Sequence, residues 1–239
     1  MEIRIFSGMG NSLAVGRELE KRLASDVSDD LLWVFPIYAW GVPPVVVRHL
    51  MTLDLSSRLC HMVCTYGDEA GAVEEQWRKI ILARGGRVGG IYGVQMPNTY
   101  VCLPGFDVDS SDVRDRKLAD CGGRVAEIAD LLLAGNHEPY IFRGSFARFK
   151  TRVIYPGFVR WAMNPSKFSH TSGCVGCGMC IRHCPNHNIT ADSDGAPLWG
   201  SDCAFCLRCY HICPHHAVAY GRQTAHKGQY LNPQFFKNL

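Results

Sequence analysis

Short apolar runs alternate with helically periodic stretches from Met1 to about Gly135. The runs are rich in β-branched and aromatic residues and predict four strands, at 2–6, 31–36, 58–65 and 87–95. Elsewhere apolar residues recur every three or four positions and predict helices near 11–24 and over 118–132. Strands that alternate with helices are typical of a parallel sheet covered by helices. The first part of the chain is therefore predicted to be an α/β domain.

The pattern changes after about residue 137. Residues 138–171 are rich in aromatic and basic side chains, and we interpret them as a structured connector. Beyond them the chain has short segments, many cysteines and little apolar periodicity, so we expect metal rather than a hydrophobic core to hold this part together. The predicted organisation is an α/β domain over 1–137, the connector over 138–171 and a metal-bound domain over 172–239.

Composition narrows the location and the partners. The chain has 239 residues, 47% of them hydrophobic, which is enough for one large domain or two smaller ones. No apolar run approaches the ~20 residues of a membrane span, and no basic leader precedes the first strand, so we expect a cytoplasmic protein. The net charge of +3 is small and dispersed, which argues against a nucleic-acid or membrane partner.

Eight of the 12 cysteines fall in two copies of one spacing. The stretches CVGCGMCIRHCP at 174–185 and CAFCLRCYHICP at 203–214 both read CxxCxxCxxxCP, the run of two-cluster bacterial ferredoxins. Three closely spaced thiolates hold one cubane, and the fourth lies too far along the chain and serves the other cubane. The spacing thus predicts one 4Fe-4S cluster on Cys174, Cys177, Cys180 and Cys213, and a second on Cys203, Cys206, Cys209 and Cys184.

Two other interpretations of these cysteines stay open at this point. Structural zinc prefers two CxxC pairs around one tetrahedral ion, which does not account for a triple followed by a fourth cysteine. Clusters that serve only as structural staples are compatible with the same spacing. The four scattered cysteines, Cys60, Cys64, Cys102 and Cys121, are expected to pack in the interior, and this usage argues against a secreted disulfide scaffold.

A turn of small residues links the first strand to the first helix. It contains Ser7, Gly8, Gly10, Asn11 and Ser12, and backbone amides at such a helix start face an anion. No lysine follows the glycines and the GxGxxG spacing is absent, so neither common nucleotide loop is present. A loop of hydroxyls and amides suits a single phosphate monoester. An ordinary helix N-cap without a ligand is the alternative.

Aromatic and small residues follow the next two strands as well. The second strand ends in FPIYAWGVPP, with Tyr38 and Trp40, and the third ends in TYGDEAG, with Thr65, Tyr66 and Gly67. Open α/β sheets bind ligands at the carboxyl ends of their strands, where these loops lie. The rings are able to stack on a planar ligand, and packing in the core or at its rim is the alternative.

Together these loops resemble those of the flavodoxin family. With the double cysteine run, the MPNTY stretch and the tail that contains Tyr230 and Pro233, nearly the whole chain resembles the flavodoxin–ferredoxin fusion proteins of anaerobes. The resemblance implies a small α+β ferredoxin domain with two 4Fe-4S clusters, and an FMN whose ring lies between the two aromatic loops with 96–98 nearby. The residues implied to hold FMN are Ser7, Gly8, Met9, Gly10, Asn11, Ser12, Pro36, Tyr38, Ala39, Trp40, Gly41, Thr65, Tyr66, Gly67 and Asp68. Met9 departs from the family pattern because a thioether replaces a phosphate-binding hydroxyl.

One strand of that family has no room here. Flavodoxins have five strands in the order 2-1-3-4-5, but only residues 25–30 separate the first helix from the next strand. We therefore predict a four-stranded sheet that lacks the second strand and exposes the first at its edge. The alternation of polar and apolar residues over 2–6 agrees with an edge strand. Either the connector, for example 140–143, or the same edge of a second subunit is expected to cover it.

The resemblance implies an electron-transfer protein that relays electrons between two 4Fe-4S clusters, FMN and a redox partner protein. The alternative is a flavin-dependent reductase of a small substrate, fed through the clusters, with Cys64, His61 and Tyr66 as candidate groups near the flavin. No catalytic constellation demands it. A third possibility is a flavin-free scaffold in which the first domain only docks the ferredoxin domain to a partner.

Basic side chains accompany both cysteine runs. They are Arg182, His183, Arg208 and His211. Positive charge near a cluster stabilises its reduced form, so we expect these residues to raise the reduction potentials, and more so at lower pH.

Overall fold

The computed structural model describes residues 1–236, which begin with a four-stranded parallel sheet. Its strands are β1 (Glu2–Ile5), β2 (Leu31–Pro36), β3 (Leu59–Tyr66) and β4 (Arg87–Gln95). They lie in the order β1-β2-β3-β4, and each neighbouring pair is parallel. This is the flavodoxin order without its second strand, so the predicted fold, including the position of β1 at the edge, is confirmed.

Helices cover both faces of the sheet. They are α1 (Asn11–Arg22), α2 (Pro44–Met51), α3 (Val73–Ala83) and α4 (Ser111–Leu133). Val15 of α1 and Val125 of α4 share a core with β2 on one face, and Trp77 of α3 packs with β2 on the other. Strand β2 reads LLWVFP and is buried almost throughout, because a strand covered on both faces has no polar side.

The connector does not cover the β1 edge. Tyr140 pairs instead with β4, at the opposite side of the sheet: its N–H donates to Ile91 O over 2.8 Å, and its carbonyl accepts from Gly93 N–H over 3.1 Å. Arg124 of α4 holds it there, because its guanidinium donates to the same carbonyl and lies 3.8 Å from the centre of the tyrosine ring. The expectation that 140–143 covers β1 is therefore wrong. A second subunit at that edge stays a prediction.

The rest of the connector forms a continuous helix, α5, over 147–162. It contains two π-helical stretches, Lys150–Ile154 and Phe158–Ala162, and a 3₁₀ turn follows at Pro165–Lys167. Thr151 accepts from Ala72 N–H and donates to Trp40 O, and Tyr155 donates to Val42 O over 2.5 Å. The helix thus fixes the loops that follow β2 and β3.

The cysteine-rich part is a small α+β unit. Strands β5 (Phe168–His170) and β8 (Val218–Tyr220) form one antiparallel pair, and β6 (Ile189–Ala191) and β7 (Pro197–Trp199) form another. The helices are α6 (Met179–Arg182), α7 (Arg208–His211) and α8 (Pro233–Phe236). Contrary to expectation, this unit has a hydrophobic core, which it shares with Val101 and Cys102 of the loop after β4, and in which Tyr220 packs edge to face on Phe168 and Phe205. Within residues 1–236, no helix has the length and apolar character needed to cross a membrane.

Candidate redox site

The carboxyl ends of β1, β2 and β3 open into a cavity of about 420 Å³. Thirteen of the 15 residues implied to hold FMN line it: Ser7, Gly8, Met9, Asn11, Ser12, Pro36, Tyr38, Ala39, Trp40, Thr65, Tyr66, Gly67 and Asp68. The other two lie behind the loops. A Cβ on Gly10 would meet Phe235 at 2.7 Å, and one on Gly41 would clash with the Tyr155 ring. These two glycines permit close packing and do not reach the cavity.

The loop between β1 and α1 presents backbone amides. Gly10 has φ 95°, a left-handed conformation that starts α1 at Asn11, and first-turn amides have no partner within a helix. The side chains brace neighbouring loops: the Ser12 and Thr65 hydroxyls lie 2.7 Å apart, and Asn11 donates to Pro97 O and accepts from the Tyr230 hydroxyl. The amides therefore remain the groups of this loop that are suited to an anion.

Met9 has a structural reason for replacing the hydroxyl of the family pattern. Its side chain is partly buried and packs against the core of the cysteine-rich unit. A polar group at this position would face apolar side chains, where an unpaired hydroxyl is costly.

The aromatic loop after β2 is held in an uncommon backbone conformation. Ala39 and Trp40 have φ of 41° and 66°, and reciprocal N–H to O bonds of 2.9 Å between Tyr38 and Gly41 close the turn. The Trp40 indole N–H donates to Glu69 over 3.0 Å. Residues in this region are strained and persist where their surroundings determine them, as at ligand sites.

A buried lysine organises the third side of the cavity. Lys117 of α4 donates to Asp109 over 2.7 Å and lies 3.5 Å from Asp68, and Asn98 donates to both carboxylates. Burial raises the pKa of Asp109, but the bonds from Lys117 and Asn98 outweigh it and hold the pKa below its usual value. The charged network fixes the loops after β3 and β4 relative to each other.

The large cavity has a second, largely apolar wall that was not predicted from the sequence. It comes from the loop after β4, from α5 and from the second cysteine run: Tyr100, Leu103, Phe106, Ile154, Phe158, Phe205, Cys206 and Leu207. Their spacing along the chain gives no common pattern. The MPNTY stretch, whose last residue is Tyr100, was the one signal that pointed to this side.

Two of the three candidate groups for a reductase lie away from the cavity. His61 sits near the amino end of β3, where its Nδ1 accepts from Gly90 N–H over 2.9 Å, and Cys64 is buried in the sheet core. Burial lowers the pKa of His61 and raises that of the Cys64 thiol to about 12. Of the three, Tyr66 lines the cavity, and its hydroxyl oxygen accepts from Phe142 N–H.

The eight cysteines of the double run surround two further small cavities. One is lined by Cys174, Cys177, Cys180 and Cys213, and the other by Cys184, Cys203, Cys206 and Cys209. These are the crossed sets that the spacing predicts. Within the described residues, no three or more His, Cys, Asp or Glu side chains lie close enough together to coordinate a single metal ion.

The backbone wraps both cavities in the same way. The third and fifth positions of each run are left-handed: Gly176 and Gly178 in the first run, with φ of 66° and 70°, and Phe205 and Leu207 in the second, with φ of 52° and 60°. Backbone amides donate to the Cys203, Cys184 and Cys213 sulfurs over 3.3 Å in each case. The two runs form a structural repeat.

This cysteine-rich segment has a known domain counterpart. Residues 173–218 match the 4Fe-4S dicluster domain. The protein is therefore an iron–sulfur protein of the electron-transfer class. A search of the curated proteins found none that matches the chain.

Solved structures similar to the first part are flavodoxins. That of Streptococcus pneumonia TIGR4 is 13% identical and aligns over 56% of this chain and 97% of its own, with a TM-score of 0.37. That of Fusobacterium nucleatum, bound to flavin mononucleotide, is 11% identical over 56% and 96%, with a TM-score of 0.39. That of Megasphaera elsdenii, in its two-electron reduced form, is 18% identical over 54% and 98%, with a TM-score of 0.36.

The chain thus combines two parts. Its flavodoxin-like fold follows from the order and direction of its own four strands, and the 4Fe-4S domain follows it along the chain. This is the architecture that the resemblance to flavodoxin–ferredoxin fusions implied.

The 4Fe-4S domain contacts the loop between β1 and α1 directly. Arg208 donates from Nε to Gly8 O and from Nη2 to Ser7 O, both over 2.6 Å. Gly8 lies against Cys206, so that a Cβ on Gly8 would come within 2.6 Å of the Cys206 carbonyl oxygen. The tail adds a bond of 2.8 Å from Asn232 N–H to Met9 O. The second cysteine run and the glycine loop are therefore one packed unit.

His211 does not contribute the positive charge expected of it. Its Nε2 lies 2.8 Å from Thr99 O, and its Nδ1 accepts from Tyr230 N–H over 3.1 Å, which requires the neutral ring. Burial lowers the pKa of His211 to about 4. The expectation that His211 is a charged neighbour of the clusters is wrong, because the side chain is fully enclosed and bonded at both nitrogens.

Proposed function

We propose that the protein relays electrons between two 4Fe-4S clusters and an FMN, and exchanges them with a redox partner protein. One observation carries the proposal: Cys206, a ligand of the second cysteine set, lines the cavity where the flavodoxin loops meet. The order of the relay is then the cluster on Cys174, Cys177, Cys180 and Cys213, the cluster on Cys184, Cys203, Cys206 and Cys209, and the FMN. The parts correspond to the α/β domain over 1–137, the connector over 138–171 and the cluster domain over 172–239.

The residues around the large cavity fit FMN. Asn11 and Ser12 of the first turn of α1 line the cavity, and a helix N-terminus favours an anionic phosphate. The aromatic loop with Tyr38 and Trp40 and the apolar wall with Tyr100 and Phe158 provide flat surfaces for a ring system. When bound, FMN holds one or two electrons and links single-electron donors to two-electron acceptors.

The thiols of the two small cavities fit 4Fe-4S clusters. Each cavity has four cysteines. Backbone amides donate to two sulfurs of the second set, Cys184 and Cys203, and to one of the first set, Cys213. Burial raises the pKa of the Cys180 and Cys203 thiols to about 11, so iron must displace protons when it binds.

The chain itself supplies positioning and exclusion of water. Arg208 ties the second cysteine run to Ser7 and Gly8, and α5 ties the loops after β2 and β3 to each other. Apolar side chains such as Phe205 and Leu207 separate the second cysteine set from solvent. A short, dry path between two redox groups is what a relay needs.

Anaerobic purification with reconstitution tests the proposal. We expect about eight iron atoms per chain, as two 4Fe-4S clusters require, and one equivalent of FMN released by acid. Photoreduction of the flavin in the presence of the clusters should give cluster EPR signals without an added mediator. A protein that binds no FMN after reconstitution, or that holds a single cluster, would contradict the proposal.

A further inference from the structure

Two buried hydrogen-bond donors lie beside the second cysteine set without a partner among the described residues. They are the Tyr38 hydroxyl and the Trp199 indole N–H. Leaving a buried donor unpaired costs free energy, and native proteins rarely tolerate it without a reason such as an unseen ligand. Both side chains therefore point to an acceptor in this region.

The Trp199 N–H is directed at a cluster ligand. Trp199 lines the cavity of the second cysteine set. The same cavity contains Cys209, the thiol on which the Trp199 N–H acts. The indole nitrogen is buried and forms no hydrogen bond with any of the described residues.

Tyr38 lies on the other side of this cysteine set, in the flavodoxin-like domain. Its ring lines the large cavity together with Cys206. Tyr38 also packs against the core that contains Cys209, and its buried hydroxyl has no hydrogen-bond partner among the described residues.

Both side chains are held rigidly. Tyr38 belongs to the closed turn with Gly41 and packs edge to face on Phe6. Trp199 is paired with Ile189 at the end of β7 and stacks on Phe168 at 5.8 Å with an interplanar angle of 18°. Neither donor can readily turn to another acceptor.

The first cysteine set has a different environment. Its cavity is lined, besides the four thiols, by Val175, Gly176, Gly178, Met179, Gly195, Pro197, His215, Ala217 and Val218. Among these described residues His215 is the one side-chain donor, and no tyrosine or tryptophan is present. The two cluster sites therefore differ in their hydrogen-bond donors.

We propose that Tyr38 and Trp199 donate hydrogen bonds to the sulfur atoms of the cluster on Cys184, Cys203, Cys206 and Cys209, and that they raise its reduction potential above that of the other cluster. The inference rests on the proposed function. Donors to sulfur stabilise the more negative, reduced form of a cluster. Reduction adds one electron to the cluster, and both donors keep their protons. Electron transfer from the cluster on Cys174, Cys177, Cys180 and Cys213 to the cluster nearer the flavin is then thermodynamically favourable.

An EPR-monitored redox titration of the reconstituted full-length protein tests this inference, with dithionite as reductant. In Tyr38→Phe and Trp199→Phe we expect one cluster signal to shift to a more negative midpoint potential while the other stays unchanged. The double variant should show the larger shift. Trp33→Phe is the matched control: its indole N–H is also buried without a partner among the described residues, but Trp33 packs in the core of the α/β domain and lines none of the three cavities. It should move neither signal.

Pulsed EPR of the wild-type protein in D₂O gives a second readout that needs no variant. We expect exchangeable deuterons coupled to one reduced cluster, at a distance compatible with O–H and N–H donors to sulfur. Unchanged potentials in both variants, equal shifts of both clusters, or no coupled deuterons in the wild type would overturn the inference. Two clusters without FMN would refute the proposed relay and leave the potentials of the variants as an independent test of these donors.

Discussion

The two cysteine runs have one spacing but differ in exposure. In the first run Cys177 is exposed, Val175 is 63% exposed and Cys180 is the one buried cysteine, whereas in the second run Cys206, Cys209 and Cys213 are all buried. The left-handed third and fifth positions of both runs bend the backbone around a cavity in the same way. The spacing of the cysteines therefore determines the path of the backbone. The residues between the ligands determine what each site touches. The first run faces solvent and the second faces the large cavity.

The two runs also differ in the residues at their left-handed positions, which are glycines in the first run and Phe205 and Leu207 in the second. Glycine adopts positive φ at little cost, but Phe205 and Leu207 adopt it in the second run at a cost on the order of 1 kcal/mol each. Their side chains are buried, and Phe205 packs on Phe168 and Tyr220. The second run accepts backbone strain because these side chains close the wall between the cluster site and the cavity.

The largest expected effect comes from Gly8→Ala. The added Cβ would lie 2.6 Å from the Cys206 carbonyl oxygen, so backbone must move against backbone at the junction of the two domains. We expect a loss of about 2–3 kcal/mol in the free energy of unfolding, as for overpacking of a core, with FMN affinity reduced at least tenfold.

Denaturant unfolding and flavin fluorescence measure the effect of Gly8→Ala. Gly122→Ala is the control, because none of the described residues, apart from α4 itself, lies within 4 Å of its added Cβ in the middle of α4. It should be neutral or stabilise by roughly 0.5–1 kcal/mol. Equal effects of the two variants would show that the junction is not as tightly packed as described.

Arg208→Met should have the next largest effect. It gives the second run the residue that the first run has at this position, Met179, and leaves the Ser7 and Gly8 carbonyls without the bonds of 2.6 Å from Arg208. We expect a loss of about 2 kcal/mol, in the range for buried groups that lose a charged partner, and slower electron transfer between cluster and flavin in a laser-flash experiment. Arg182→Ala in the first run is the control, since Arg182 is exposed, and it should change stability by less than about 0.5 kcal/mol.

Part of this contrast could be predicted from the sequence and part could not. The strands, the crossed cysteine sets and most of the cavity loops were predictable, because periodicity and ligand spacing are local properties of the chain. The contacts of Arg208 with Ser7 and Gly8 were not, since about 200 positions separate them and nothing in the order of residues marks the pair. Tyr140 was assigned to the wrong edge for the same reason: Arg124, which holds it at β4, gives no local signal.

The two clusters should lose their iron to a chelator at different rates. A chelator under mild oxidation reaches the exposed Cys177 site before the site formed by the buried Cys206 and Cys209. We expect loss of cluster absorbance in two phases whose rate constants differ about tenfold, which corresponds to about 1.4 kcal/mol. EPR at the end of the first phase should retain the signal of the cluster that Tyr38→Phe shifts. Loss of both signals in one phase would contradict the difference in exposure.

Gly178→Leu has the smallest expected effect and tests the strain argument. It gives the first run the residue that the second has at this position, in a backbone with φ 70°. Because the left-handed conformation costs a side chain about 1 kcal/mol and solvent offers no apolar wall in return, we expect destabilisation of about 1 kcal/mol with both clusters retained. The side chain of Arg182, the nearest neighbour of the new Cβ, is exposed and able to move aside. Denaturant unfolding of the loaded protein measures the change. A neutral Gly178→Leu would mean that the bend tolerates any residue, and that the wall, not the strain, explains why the second run carries Leu207.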